Sequence, residues 1–183
     1  MPTATNIATL VGNPRPASRT SRVAHAVAAR VAQELGGAGV SSAIELAGHA
    51  GDLFTASAPA VDRDRAAAAS ADVLVVASPT YKATYTGLLK AFLDRYEGDG
   101  LAGVTAIPVM VGASAHHALA VEVHLRPLLV ELGAVVPGRG LFVLDGEVDD
   151  ADAVAERWWT ASGAAVRASV GAARATVAAG GAA

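Results

Sequence analysis

Val73-Leu74-Val75-Val76-Ala77-Ser78-Pro79-Thr80-Tyr81-Lys82-Ala83-Thr84-Tyr85-Thr86-Gly87-Leu88-Leu89-Lys90-Ala91-Phe92-Leu93-Asp94 reads as a strand, a turn and a helix in succession. The opening valines and leucine have no polar break, the pattern of a strand covered on both faces. Tyr85, Leu88, Leu89, Phe92 and Tyr96 then recur at helical spacing, which predicts a helix from about Thr84 to Tyr96. Pro79 lies between the two. It has a fixed φ and no N–H, so the chain is expected to leave the sheet there and turn its next amides outward. In an open α/β sheet, ligands bind above the carboxyl ends of the strands. Tyr81 would offer them a ring there and Lys82 a cation.

Outward from this stretch the same alternation repeats. Ile7 to Gly12 reads as a first buried strand, and Ser18 to Leu35 as a helix with Val23, Val27 and Val31 on one face and Gly36-Gly37 as its stop. A weaker strand lies near Ala43 to Leu46, followed by an irregular segment and a short alanine-rich helix near Asp62 to Ala69. The third strand is Val73 to Ala77. Val104 to Val111 is a fourth strand, His116 to Leu132 a helix, Ala134 to Leu144 a fifth strand irregular at Pro137 and Gly138, and Asp150 to about Ala178 a closing helix. Five β units with helices between them imply an α/β, doubly wound, five-stranded parallel sheet with helices on both faces, a three-layer α/β/α arrangement. The 183 residues are expected to form a single domain, 1–183.

Composition excludes several function classes. With 17 acidic and 14 basic residues and a net charge of −3, the chain has no basic stripe, which argues against nucleic acid or an anionic membrane as partner. It has no cysteine, so disulfides and thiolate chemistry are excluded. No apolar run has the length of a signal or a membrane span, and the expected location is the cytoplasm. Only Lys82 and Lys90 represent lysine, and both fall in the opening stretch.

The first β-to-α turn is Gly12-Asn13-Pro14-Arg15-Pro16-Ala17-Ser18-Arg19-Thr20-Ser21. It lacks the G-x-G-x-x-G spacing that lets a pyrophosphate approach bare backbone, and no P-loop occurs elsewhere. Hydroxyls and guanidinium groups ahead of a helix N-terminus suit a terminal monophosphate instead, as in FMN. On the loop alone, Ser18 as a simple N-cap with Arg15 and Arg19 solvated is the competing reading.

These residues resemble the NADPH-dependent FMN reductase family, flavodoxin-like in fold, and most closely the flavin reductases that serve two-component monooxygenases such as the alkanesulfonate system. The resemblance rests on the loop from Gly12 to Thr20, on Ser78 to Lys90, and on Gly112 to Ala120 followed by Leu125-Arg126-Pro127-Leu128-Leu129. It implies a phosphate loop at Asn13, Arg15, Ser18, Arg19 and Thr20, an isoalloxazine loop at Pro79, Thr80, Tyr81 and Lys82, and a second flavin-side loop at Gly112, Ala113, Ser114 and His116. Where many members have Gly-Ser, this chain has Gly12-Asn13, which leaves open whether Asn13 donates to phosphate or only shapes the turn. The resemblance places Tyr85 on an irregular wide turn at a subunit interface, over a partner's flavin; helical spacing alone makes Tyr85 a core residue.

The activity so implied is hydride transfer from NADPH or NADH to FMN, with the protein stacking two rings and no obligatory acid, base or nucleophile. Amides of Thr80 to Lys82 or of Gly112 to Ser114 are the candidates to face the flavin's N1/C2 edge. The implied partners are a flavin-dependent monooxygenase and further copies of the chain, as a homodimer or homotetramer. A reductase that keeps its flavin and reduces a quinone, azo dye or oxyanion, and a one-electron flavodoxin-type carrier, are the alternatives. No metal is expected, because His117 and His124 lie two turns apart without a carboxylate to complete a site. Of Trp158-Trp159, one is expected in the core and one at an interface, and Glu45 is expected to be solvated.

Overall fold

Each strand of the chain hands on to a helix, and in the computed structural model, which describes residues 4–180, this alternation yields one parallel sheet. The strands are β1 (Ile7–Val11), β2 (Val40–Glu45), β3 (Val73–Pro79), β4 (Thr105–Gly112) and β5 (Leu141–Leu144). Between and after them run α1 (Arg19–Leu35), α2 (Pro59–Ala69), α3 (Gly87–Leu93), α4 (Arg126–Glu131) and α5 (Ala151–Gly180). The strand order β2-β1-β3-β4-β5 is the flavodoxin order, with its switch point between β1 and β3.

Alternation along β1 divides the core. Ile7 and Val11 face α1 and α5, whereas Ala8 and Leu10 face the layer of α2, α3 and α4. Burial on both sides explains why β1, β3 and β4 consist almost wholly of apolar residues. Trp158 and Trp159 are both buried in the α1–α5 layer, so neither is left over for an interface. Trp158 Nε1 donates to the Arg139 carbonyl at 2.9 Å, and the Arg167 guanidinium lies 5.0 Å from the Trp159 ring centre.

Several boundaries differ from those that periodicity predicts. β3 does not stop before Pro79: Ser78 and Pro79 still pair with Met110 and Val111 of β4. On the other side, β1 stops pairing at Val11–Ala77, so Pro79 faces no ladder that needs its missing N–H. The next helix begins three residues later than expected. Thr86 is its N-cap, accepting from Leu89 N at 3.1 Å, and Tyr85 therefore lies in the preceding loop, half-buried against the core. β5 is short because Arg126 donates to the carbonyls of Val136 and Gly138, and Glu122 accepts from Gly140 N, which ties the chain before Leu141 to the helix layer as a loop.

The wide turn expected at Tyr85 is found elsewhere. It is a π turn at Val121–Leu125, closed by Arg126 N–H on the Val121 carbonyl. Pro127 supplies the cause: its ring would strike the carbonyl four residues back, at Val123, and it has no N–H to bond there.

Candidate functional site

β1 ends low in the rim of the sheet, level with β2 at Val11–Glu45 and short of β3. Its ladder with β3 ends at Ala77, while β3 and β4 run on together to Pro79–Val111. Two residues of extra strand rise about 6–7 Å above β1. That notch opens into a cavity of about 430 Å³ at the switch point, within the range of small-molecule sites.

One wall is the loop after β1. Asn13 Oδ1 accepts from Arg15 N at 2.9 Å and Asn13 Nδ2 donates to Thr20 Oγ1 at 3.1 Å, so both ends of this buried side chain shape the loop. Ser18 caps α1 by accepting from Ser21 N at 3.1 Å. The amides of Arg19 and Thr20 belong to the first helical turn and have no intrahelical acceptor, so they present donors and the positive end of the helix to the cavity. Arg15 is exposed and has no acidic partner among the described residues, whereas Arg19 Nη1 lies 3.1 Å from Asp145 Oδ2. Gly12 must be glycine, because a Cβ there would sit 2.5 Å from Leu89 Cβ on α3.

The opposite wall comes from the loops after β3 and β4. Thr86 Oγ1 donates to the Gly12 carbonyl at 2.6 Å and Thr86 N–H donates to Ser78 Oγ at 3.0 Å, which pins the β3 loop to the β1 loop. Thr80 N donates to the Val111 carbonyl at 2.7 Å, and Tyr81 and Thr84 exchange two backbone hydrogen bonds around Lys82 and Ala83. Those two central residues have φ of 51° and 69°, the geometry of a type I′ turn built without glycine. Thr80 Oγ1 is buried at this wall without a hydrogen-bond partner. A Cβ on Gly112 would approach it to 3.1 Å and the Phe142 ring to 2.9 Å.

The cavity thus gathers Asn13, Arg15, Ser18, Arg19, Thr20, Pro79, Thr80, Tyr81, Gly112 and Ala113, residues singled out from the sequence, into one wall-to-wall arrangement. Lys82 sits exposed at the tip of the turn, and Ser114 and the exposed His116 start the next segment; none of the three is in the wall. Because Thr80 and Tyr81 have already committed their amides, the donor left for a ligand edge is in the β4 loop, at Ala113, with no backbone acceptor among the described residues.

These features fit FMN. A buried hydroxyl left unpaired costs about 1–3 kcal/mol, a cost that a polar ligand edge at Thr80 would remove, and the α1 terminus with two arginines would suit a phosphate.

A family model described as NADPH-dependent FMN reductase matches residues 5–149. The chain belongs to the NADPH-dependent FMN reductase family. Among its relatives, "FMN reductase (NADPH)" of Escherichia coli (strain K12) is 41% identical over 80 residues, 44% of this chain and 42% of that protein. The match therefore spans less than half of that relative's length. "NADH-dependent FMN reductase SfnE" of Pseudomonas putida is 30% identical over 161 residues, 82% of each chain. The apo form of an NADH:FMN oxidoreductase (EMOB) superposes with a TM-score of 0.72 at 31% identity, over 94% of this chain and 90% of that one.

Asp145 is the charged wall residue that family resemblance and sequence reading both passed over; Pro16, Ala17 and Val111 complete the wall as apolar lining. Asp145 follows β5, far from Arg19 in sequence, and no local pattern points to it. Glu45 is not solvated either: it accepts from Ser21 Oγ, and its Oε2 is buried without a partner. His25 Nδ1 lies 2.8 Å from the Ser21 carbonyl and His49 Nε2 lies 2.6 Å from Asp64 Oδ2, so both histidines act as local ties. Among the described residues, no group of three potential metal ligands is present, and no helix is long and apolar enough to cross a membrane.

Proposed function

We propose that this chain is an NAD(P)H-dependent FMN reductase of the cytoplasm that works as one domain. One observation carries the reading: a single cavity joins the free first-turn amides of α1 with Arg15 and Arg19 to the unpaired Thr80 hydroxyl and the Ala113 loop. The first group holds a phosphate dianion by charge-assisted hydrogen bonds. The second orients a planar polar edge, and Tyr81, almost half exposed at 46%, offers a ring face at the rim. Bound FMN supplies the hydride acceptor and reduced NADPH or NADH the donor, so the chain's own task is to bind, orient and exclude water. The amide of Ala113 is the donor for negative charge developing at the flavin edge.

The product flavin is proposed to leave for a flavin-dependent monooxygenase, and the chain to act as a homodimer or homotetramer. Leu119, Val123 and Val130 support self-association. They are 64%, 58% and 54% exposed along the π turn, α4 and the turn just before them, a surface suited to a second copy. This moves the proposed interface from Tyr85 to that surface.

The test is oxidation of NADPH and of NADH with FMN or riboflavin as acceptor, beside fluorescence titration of both flavins. FMN-dependent oxidation with tighter binding of FMN than of riboflavin is expected. Equal affinity for the two flavins would remove the phosphate assignment, and absence of FMN-dependent turnover would remove the activity.

A further inference from the structure

Two arginines face the cavity, but they are not equivalent. Arg15 has no acidic partner among the described residues, while Arg19 is held by Asp145, whose carboxylate is the one acidic group in the wall. Asp145 opens the turn after β5, immediately beyond Leu144, and its side chain is 32% exposed against 61% for Arg19. The pair is therefore neither a buried structural bridge nor a freely solvated one. A carboxylate beside the start of α1 partly neutralises the positive end of the helix and repels any dianion drawn to it.

The geometry points to Asp145 as a residue that detunes the phosphate site and keeps the flavin exchangeable. This rests on the phosphate of FMN lying at the α1 terminus. A phosphate monoester carries about −1.5 to −2 at neutral pH, so it competes with Asp145 for Arg19 and is repelled by the carboxylate it displaces. Both effects weaken the bound state and leave riboflavin, which has no phosphate, untouched. An enzyme that hands its flavin on needs such a limit on affinity, because a site with two free arginines and a helix terminus would hold FMN too long between turnovers.

The experiment uses the full chain, three probes (FMN, riboflavin and inorganic phosphate as competitor) and the FMN dissociation rate. In Asp145→Asn the FMN Kd and the dissociation rate are expected to fall by roughly tenfold, the order set by one screened charge a few Å from a dianion. Inorganic phosphate should compete more strongly, and riboflavin affinity should stay the same. Asp145→Glu, which keeps the charge, should behave close to wild type, and in an Arg19→Gln background the gain from Asp145→Asn should shrink. Thermal melting checks each fold, and Asp145→Ser replaces the amide variant if that variant does not fold. Unchanged FMN affinity in Asp145→Asn, weaker FMN, or an equal shift for riboflavin would each overturn the proposal while leaving the phosphate assignment intact. A wild type that binds FMN no better than riboflavin would overturn both.

Discussion

Ala83→Gly should make the protein more stable, although it removes a methyl group and adds backbone freedom. Lys82 and Ala83 occupy the two central positions of the turn between Tyr81 and Thr84 at φ of 51° and 69°. An L-residue in the left-handed region loses about 1–2 kcal/mol to the contact between Cβ and the following carbonyl. Glycine escapes that contact but pays about 0.5–1 kcal/mol more in backbone entropy on folding. Ala83 is exposed and contributes no core packing to offset the difference. The net gain is about 1 kcal/mol, or roughly 2–4 °C in Tm for a chain of this size. Ala29→Gly is the control, since Ala29 is exposed within α1, where the same change removes helix propensity and should lower stability by about 1 kcal/mol. Urea and thermal denaturation of the two variants should thus move in opposite directions. If both fall, the turn is not left-handed in solution and the strain argument is wrong. Strain kept in the turn that carries the wall residue Tyr81 implies a use, so Ala83→Gly should also weaken FMN several-fold by freeing Tyr81, read by fluorescence quenching.

Arg15→Ala should weaken FMN by about tenfold or more with no change in melting, because Arg15 is an exposed loop side chain without a folding partner; unchanged FMN affinity would assign it to solvent. Ser18→Ala should cost about 1 kcal/mol of stability through the lost cap on Ser21 N, as well as weakening FMN, and an unaltered melting curve would argue against the cap. Val123→Asp should shift the assembly toward smaller species by light scattering while Tyr85→Ala leaves it unchanged and only lowers stability, by about 1–3 kcal/mol; the reverse pattern would return the interface to Tyr85. The Arg126 guanidinium beside Glu122 holds its carboxyl below the ordinary value of 4.5, so this clamp on Gly140 stabilises fully above that value and is lost as pH falls through the lower folded one. Glu122→Gln should flatten the loss of stability below pH 4.5, and an identical acid profile would show that the clamp contributes nothing.

The chain's local patterns already contained the sheet, the helices on both its faces and most of the cavity wall. Apolar runs such as Val73 to Val76 can lie only in a doubly covered strand, and a Ser18 ahead of an apolar-periodic segment reads as a cap wherever it occurs. The π turn had a local signal too, Pro127 within a helical pattern, although the reading attached the wide turn to Tyr85. Other features depended on pairings between distant segments. Pro79 stays in β3 because β1 ends two residues short of it, and Tyr85 falls off α3 because Thr86 bonds both Leu89 and the Gly12 carbonyl. Asp145 meets Arg19 only because β5 ends beside the start of α1. Periodicity records what residues three or four apart require of each other, whereas strand register and loop contact are set by free energies summed over the whole packed sheet. The notch above β1, and the one carboxylate that faces it, come from that sum.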